Sequence, residues 1–380
     1  MKILIVSPYI YPQGSGVGRI VLSLAYKLAE SGHQLIILTS GKKSQSFSNK
    51  YHLIKKRPLF YLFNTPFRLR LFFDLILLNN KSKFDLILAF TPVPYFVDIA
   101  ALVSKIFNLP FYIIYNTFSL KREKRFFSIF TYIYCQFIEK YTLKSAKKIF
   151  IYNKKLEQTD ILNDFKKRLF YISIGCDRKL FNKRLKSLDD YLLYVGPLNK
   201  TQYWKGINYL LKAMKIVKSN NSTIRLKIVG SGDKMQSYKK MTRKLEIGDR
   251  VEFLGYQTNN TLISFYQNCR FLVLPSYDQA ELTPIVITEA FSCGKTVIST
   301  KAAGIPYLVT DGVDGLLVEP KNENALAQAI IKLWFDDELR QKLAGQAYLK
   351  SQSFSWSAMA QDIIDVLENN LALNNDNNVK

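Results

Sequence analysis

Tyr191–Gly206 reads YLLYVGPLNKTQYWKG. An apolar run without polar alternation ends in a glycine, and a polar loop leads into Gly206–Lys218, where apolar residues recur at helical spacing. Such a run suits a strand buried on both faces, as in a parallel sheet. The same unit recurs toward the C-terminus. Ile224–Val229, Val251–Leu254, Phe271–Leu274 and Thr296–Ser299 read as strands, with helices at Asp233–Leu245, Thr258–Gln267 and Pro284–Ser292. It also recurs toward the N-terminus. There Lys2–Ser7, Gln34–Thr39, Phe84–Phe90, Phe111–Asn116 and Lys148–Tyr152 read as strands, with helices at Gly18–Glu30, Tyr95–Phe107 and Arg125–Lys144. Strand and helix alternating twice over predicts an α/β protein of two doubly wound, Rossmann-like domains. Ligands of open α/β sheets bind beyond the carboxyl ends of the strands, so a cleft between the two domains is the expected site.

Length and composition agree. A chain of 380 residues with 48% apolar side chains is expected to split into two domains rather than grow one core. Two histidines, His33 and His52, exclude a histidine-rich metal site. Cys135, Cys176, Cys269 and Cys293 form no CxxC and read as scattered reduced thiols. No signal-peptide pattern opens the sequence, and no apolar run reaches the ~18–20 residues that a spanning helix needs. The net charge is +24, unevenly placed: residues 1–188 carry 32 basic and 10 acidic side chains, residues 189–380 carry 22 and 20. A cationic first half points to an anionic partner.

Three loops carry candidate chemistry. Pro12–Gly18 (PQGSGVG) joins the first strand to the first helix, where Gly14 and Gly16 allow close backbone approach and the helix start favours an anion. It lacks both the dinucleotide fingerprint and the GK[ST] ending of an ATP-binding P-loop. Gly196–Gly206 holds Lys200 and Lys205; Lys205 sits at a helix start, where the dipole disfavours a cation unless an anion is bound. Gly230-Ser231-Gly232-Asp233 repeats the theme, with Asp233 a good N-cap. The sharpest segment is Glu281–Ala290 (ELTPIVITEA), in which Pro284 suits the first helical turn and Glu281 and Glu289 flank an apolar helix start. Buried acids need partners, and sugar or ribose diols fit; an acid–base pair for hydrolysis is equally open from the spacing.

On these residues the chain resembles glycosyltransferase family 4. The resemblance rests on the glutamate pair Glu281 and Glu289, on Lys205-Gly206, on Val229-Gly230-Ser231-Gly232, on Ser276, on Asp311–Val318 (DGVDGLLV), on Gly14–Gly18, on Ser31-Gly32-His33 and on Ile174–Asp177 with Phe181. It implies the GT-B fold: two Rossmann-like domains facing a cleft, with a C-terminal helix crossing back to the first. The expected division is 1–187 for the acceptor domain, 188–353 for the donor domain, 354–372 for the crossing helix and 373–380 for a frayed tail. The resemblance further implies a retaining transferase that uses a UDP- or GDP-linked sugar as co-substrate, with no cofactor and no metal. Lys205 would neutralise the leaving diphosphate, Glu281 would lie at the donor sugar or its phosphates, and Glu289 would hold the ribose. Asn116 stands where relatives often place a histidine. Gly14, Gly16, Lys200, Gly230, Gly232, Ser276, Thr283 and Pro284 would complete the donor site. Pro197 replaces a frequent arginine, and Leu282-Thr283 replaces a frequent Phe-Gly step. A catalytically inactive scaffold of the same fold is the alternative that these departures leave open.

Two basic, aromatic stretches lie in the first half. Arg57–Leu78 contains Arg57, Phe67, Arg68 and Arg70; Lys121–Lys148 contains Arg122, Lys124, Arg125, Phe126 and Phe127. Basic residues beside aromatics suit an interfacial segment on anionic lipid, hence a lipid-linked acceptor and a peripheral place on the inner face of the cell membrane. Nucleic-acid binding is the rival use of the charge, but no RNP, KH, zinc-finger or helix-turn-helix signature accompanies it.

Overall fold

Ile3 to Val6 are fully buried in the first strand, as an apolar run in the middle of a parallel sheet requires. The computed structural model describes residues 1–10, 15–42, 44–62, 65–91, 94–116, 132–178, 181–182, 190–220, 223–278 and 281–377. Gly14, Arg122, Lys124, Arg125, Phe126 and Phe127 lie outside the described residues, as do 183–189 of the expected boundary segment. The chain divides into two units, Met1–Gly175 with Trp356–Lys380, and Cys176–Ser355.

The first unit runs β1 (Lys2–Val6), α1 (Ser15–Glu30), β2 (Gln34–Ser40), β3 (Ser44–Phe47), β4 (His52–Lys56), β5 (Phe60–Leu62), β6 (Thr65–Phe67), α2 (Leu71–Ser82), β7 (Leu86–Phe90), α3 (Phe96–Ile106) and β8 (Phe111–Ile114). A π-helical turn, Tyr134–Glu139, then leads into α4 (Lys140–Ser145), β9 (Lys148–Ile151), α5 (Asp160–Asn163) and β10 (Leu169–Tyr171). The sheet order is β10-β9-β8-β7-β1-β2-β4-β3, parallel except for β3, which runs antiparallel to β4 at the edge. β5 and β6 form a separate hairpin. The sequence reading missed β3 and β4 because their residues lack an uninterrupted apolar run, β4 burying only Ile54, and it missed the hairpin because Phe60–Leu62 was taken into one basic, aromatic stretch, Arg57–Leu78.

The second unit contains β11 (Leu192–Val195), α6 (Ile207–Ser219), β12 (Leu226–Val229), α7 (Met235–Lys244), β13 (Val251–Gly255), α8 (Asn259–Asn268), β14 (Phe271–Leu274), α9 (Ile285–Ser292), β15 (Val297–Thr300), α10 (Ile305–Leu308), β16 (Gly315–Val318), α11 (Glu323–Phe335) and α12 (Asp337–Ser351). Its sheet is wholly parallel, in the order β13-β12-β11-β14-β15-β16. Chain direction across the sheet reverses between β11 and β14, which is the topological switch point of such a sheet.

The division falls at Gly175–Cys176 rather than at 187–188. Residues after Gly175 are tied into the second unit: the Cys176 thiol meets the Ser292 hydroxyl at 3.3 Å, and Phe181 packs edge-on against Tyr266. The last helix, α13 (Trp356–Asn377), belongs to the first unit and packs on α1. Asp362 accepts a hydrogen bond from the Ser173 amide at 2.7 Å. Gly175 is bare because the Trp356 ring fills the place of a side chain; a Cβ there would lie 1.9 Å from Cε3. The helix continues to Asn377, through much of the segment expected to fray.

Candidate functional site

The site grows from the loops that leave β11 and β14 on either side of the switch point. After β11 the chain makes a 3-10 turn, Lys200–Lys205, and reaches Gly206 at φ +76°. Glycine tolerates that left-handed conformation. It also meets a steric demand, since a Cβ at Gly206 would lie 1.9 Å from the Pro275 carbonyl oxygen. The Tyr277 amide donates to the Trp204 carbonyl at 3.0 Å, which joins the two loops directly.

That junction brings Lys205 to Glu281. Lys205 Nζ lies 2.6 Å from Glu281 Oε2, with the two side chains 13% and 6% exposed. The Ser276 hydroxyl donates to the same oxygen at 2.7 Å. Thr300 donates in turn to the Ser276 carbonyl, and the Trp204 ring lies beneath the Lys205 ammonium at 4.7 Å. A charged pair so buried needs hydrogen bonds on both partners, and these residues supply them. The carboxylate also answers the question of a lysine at a helix start: in this structure Glu281 is its anion.

The glycine turns that follow β11 and β12 lie against each other. Gly230, at φ +144°, has the Gly196 carbonyl oxygen where a Cβ would stand, at 1.8 Å. Gly232 lies against Leu198 and Asn199, so neither position admits a side chain. Asp233 does not cap α7, which begins at Met235 with Lys234 before it. Its carboxylate instead accepts the Lys200 amide at 2.6 Å and ties the two turns together, while the Lys200 side chain is exposed. The Tyr194 hydroxyl is buried with no hydrogen-bond partner among the described residues, and its oxygen lies 2.8 Å from where a Cβ at Gly196 would stand. Burial, and then the Glu281 charge, push that phenol well above its ordinary pKa. Tyr277 is pushed up to about 12, by burial first and then by neighbouring tyrosines.

Pro284 stands at the N-cap of α9 in extended conformation, one residue before the helical turn expected of it. Thr283 is half-buried beside it. Glu289 is buried in the helix and accepts the Tyr266 hydroxyl at 2.7 Å. Tyr266 comes from α8, and no signal in the sequence paired it with Glu289. Asn116 and Gly16 belong to the first unit. Gly16 is exposed in the first turn of α1. Asn116 is buried past the end of β8: its Nδ2 donates to the Ile114 carbonyl at 3.0 Å, and its Oδ1 accepts the Tyr152 hydroxyl. Thr91, at the end of β7, accepts its amide at 3.0 Å. Phe67 and Arg68 point into their own unit: Phe67 stacks on Phe60 and Tyr95, and Arg68 binds Asp74 at 2.5 Å. Arg57 and Arg70 are exposed. No helix among the described residues is long and apolar enough to cross a membrane.

Residues 177–350 match the family described as Glycosyl transferases group 1, and residues 14–175 match Glycosyltransferase Family 4. An uncharacterized glycosyltransferase of Methanocaldococcus jannaschii is 29% identical over 231 residues, which is 60% of this chain and 61% of that protein. The match thus spans about three fifths of that relative's length. Sucrose-phosphate synthase from Thermosynechococcus elongatus superposes with a TM-score of 0.79 at 21% identity, covering 98% of this chain and 99% of the other. HepE of Anabaena, solved in complex with UDP, superposes with a TM-score of 0.75 at 17% identity, covering 97% and 100%. The two likenesses show the fold, GT-B with two Rossmann-like α/β domains.

Proposed function

The chain belongs to glycosyltransferase family 4, and from that premise we propose that it transfers a sugar from a nucleotide-sugar donor to a lipid-linked or glycan acceptor, with retention of anomeric configuration and without a metal. The observation that carries this reading is the buried Lys205–Glu281 pair at the switch point of the second sheet. The UDP bound by HepE, a protein of the same fold, supports a nucleotide diphosphate as the donor's leaving group.

In the proposed reaction the bond between the anomeric carbon and the diphosphate oxygen breaks. The acceptor oxygen attacks on the same face, and its proton passes to the leaving phosphate. Negative charge grows on that phosphate as the bond opens. Lys205 answers it more strongly in the transition state than in the ground state, because the charge it faces is larger there. Trp204 and Glu281 hold the ammonium, and Ser276 holds the Glu281 carboxylate, so little reorganisation is needed. Gly230 and Gly232 let the turns after β11 and β12 pack backbone against backbone, which sets the loops proposed to face the diphosphate. Glu289 is the proposed ribose partner, reached by exchanging its Tyr266 hydrogen bond for the diol. Asn116, in the first unit, is the proposed acceptor-side amide, already oriented by Tyr152. Lipid carrying the acceptor would place the chain against the inner face of the cell membrane. A silent scaffold is the second reading, favoured by Pro197 and by the engagement of both ends of the Asn116 amide.

Calorimetry with UDP, GDP and ADP tests the donor site. We expect one of them to bind, and Glu289→Ala to weaken it by about tenfold or more, the value of one charge-assisted hydrogen bond. Binding of none by folded protein removes the transferase reading. Turnover of the matching nucleotide sugar, with the product anomer read by NMR and repeated in a chelator, then separates a retaining, metal-independent transferase from a silent one.

A further inference from the structure

The first unit carries an apolar surface that its own fold leaves uncovered. In α2 the buried stripe is Leu71, Leu75 and Asn79, one helical turn apart. The opposite side presents Phe73 and Leu77, 62% and 66% exposed. Just before the helix, Leu69 is 75% exposed, and the β5–β6 hairpin adds Leu59 at 68% and Tyr61 at 57%. A helix apolar on both sides normally lies inside a core or in lipid. At twelve residues α2 is too short to span a bilayer, so against lipid its outer side would lie on the surface rather than cross it.

The charges around these side chains have one sign. Between residues 55 and 83 there are seven basic side chains and one acid, Asp74. Asp74 is turned inward to Lys56 and Arg68, at 3.0 and 2.5 Å. Burial pushes its carboxyl up, but the hydrogen bonds from Arg68 and Lys56 outweigh that and hold it below its ordinary value. Arg57, Arg70 and Lys81 are exposed and make no ion pair among the described residues. Arg70, Phe73, Leu77 and Lys81 follow one another at helical spacing, a cation at each end of an apolar stripe. The hairpin is tied to the segment that leads into α2: Phe60 stacks on Phe67 at 5.2 Å, Phe67 meets Tyr95 at 4.9 Å, and Arg68, paired with Asp74 of α2, donates from Nη1 to the Arg57 carbonyl at 3.1 Å.

We propose that this face, Leu59, Tyr61, Leu69, Phe73 and Leu77 with Arg57, Arg70 and Lys81, is the part of the chain that enters the headgroup layer of an anionic bilayer. The proposal rests on the lipid-linked acceptor reading only for the choice of lipid. A second copy of the chain is a poor occupant, because a two-fold contact would set the same cations against each other. Lipid phosphates complement the cations, and the acyl boundary takes the leucines and Phe73. Phe67 and Arg68, expected from the sequence at such a surface, instead anchor the hairpin.

The test is cosedimentation of the full chain with phosphatidylcholine vesicles, with and without phosphatidylglycerol, alongside Leu59→Ser/Leu69→Ser/Phe73→Ser. The wild-type chain is expected to bind the anionic vesicles and to lose them as salt is raised. The triple variant is expected to bind at least about tenfold more weakly, given the apolar area removed from the contact. Its melting temperature and nucleotide binding should match the wild type, since all three side chains are exposed. A triple variant that binds vesicles as well as the wild type overturns the proposal. So does a wild-type chain that ignores anionic vesicles, or one that forms dimers which the triple variant dissolves. Vesicle binding without nucleotide binding would sink the transferase reading and leave this face standing; the reverse result would do the opposite.

Discussion

Lys205 is held by a carboxylate, a tryptophan face and a loop-to-loop hydrogen bond, so its position does not depend on a bound donor. Removing it should therefore affect chemistry more than placement. Lys205→Ala is expected to lower kcat by about a hundredfold or more, the usual loss when one preorganised group facing developing charge is removed. It also leaves Glu281 buried with Ser276 alone, which costs stability. Glu281→Gln keeps shape and a hydrogen-bond acceptor, and separates the two effects: steady-state kinetics and thermal melts of both variants should show lost turnover with a smaller loss of stability in the glutamine variant. Full activity in both would remove the proposed mechanism. Both residues were legible in the sequence as a lysine at a helix start and an acid before one. Their ion pair was not, because 76 residues separate them and only the crossing of the loops after β11 and β14 joins them.

The π-helical turn Tyr134–Glu139 shows what an element can conceal. It turns Glu139 inward to the Tyr115 hydroxyl at 2.8 Å and Tyr134 inward to Asp98. Asp98 also accepts the Thr142 hydroxyl at 2.6 Å and the Tyr95 amide at 2.7 Å. Burial is the first cause that lifts both carboxyls above their ordinary range; for Glu139 the Asp98 charge adds to it, while Cys135 and Tyr115 pull the other way. A carboxyl that holds its proton more tightly when folded makes the folded state lose stability as pH rises from the unfolded value, about 4.3 for Glu, through the higher folded one. Glu139→Gln keeps an acceptor for Tyr115 and removes that loss. Its melting temperature should exceed the wild type's at neutral pH, and the gap should close as pH falls toward about 4. A gap that instead widens in acid would mean that the ionised carboxylate is the stabilising form. The sequence reading took this stretch as part of a basic, aromatic helix suited to anionic lipid, since its lysines and aromatics were visible and the depth at which Glu139 sits was not.

For the chain as a whole, the decisive connection is the return of α13 to the first unit. Met359, Ile363, Ile364 and Leu367 are each at most 4% exposed. Burying such a side chain contributes roughly 1.5–3 kcal/mol, so their sum is comparable with the ~5–15 kcal/mol that stabilises a domain. A chain ending at Ser355 is expected to unfold its first unit while keeping the second, read as limited proteolysis confined to residues 1–175. Equal resistance of both units would show α13 to be dispensable. Patterns of nearby residues were enough to establish the α/β class and the largely parallel sheets, and they singled out the glycines at 206 and 230 and the candidates Lys205 and Glu281. These features follow from short-range rules: burial on both faces makes an apolar run, and a left-handed turn or a close backbone contact calls for glycine. The boundary at Gly175, the partners of Glu289 and Asn116, the inward turn of Phe67 and Arg68 and the uncovered side of α2 were settled only in three dimensions. Each depends on contacts between segments far apart in the chain, and on which side of a helix the remaining core happens to cover.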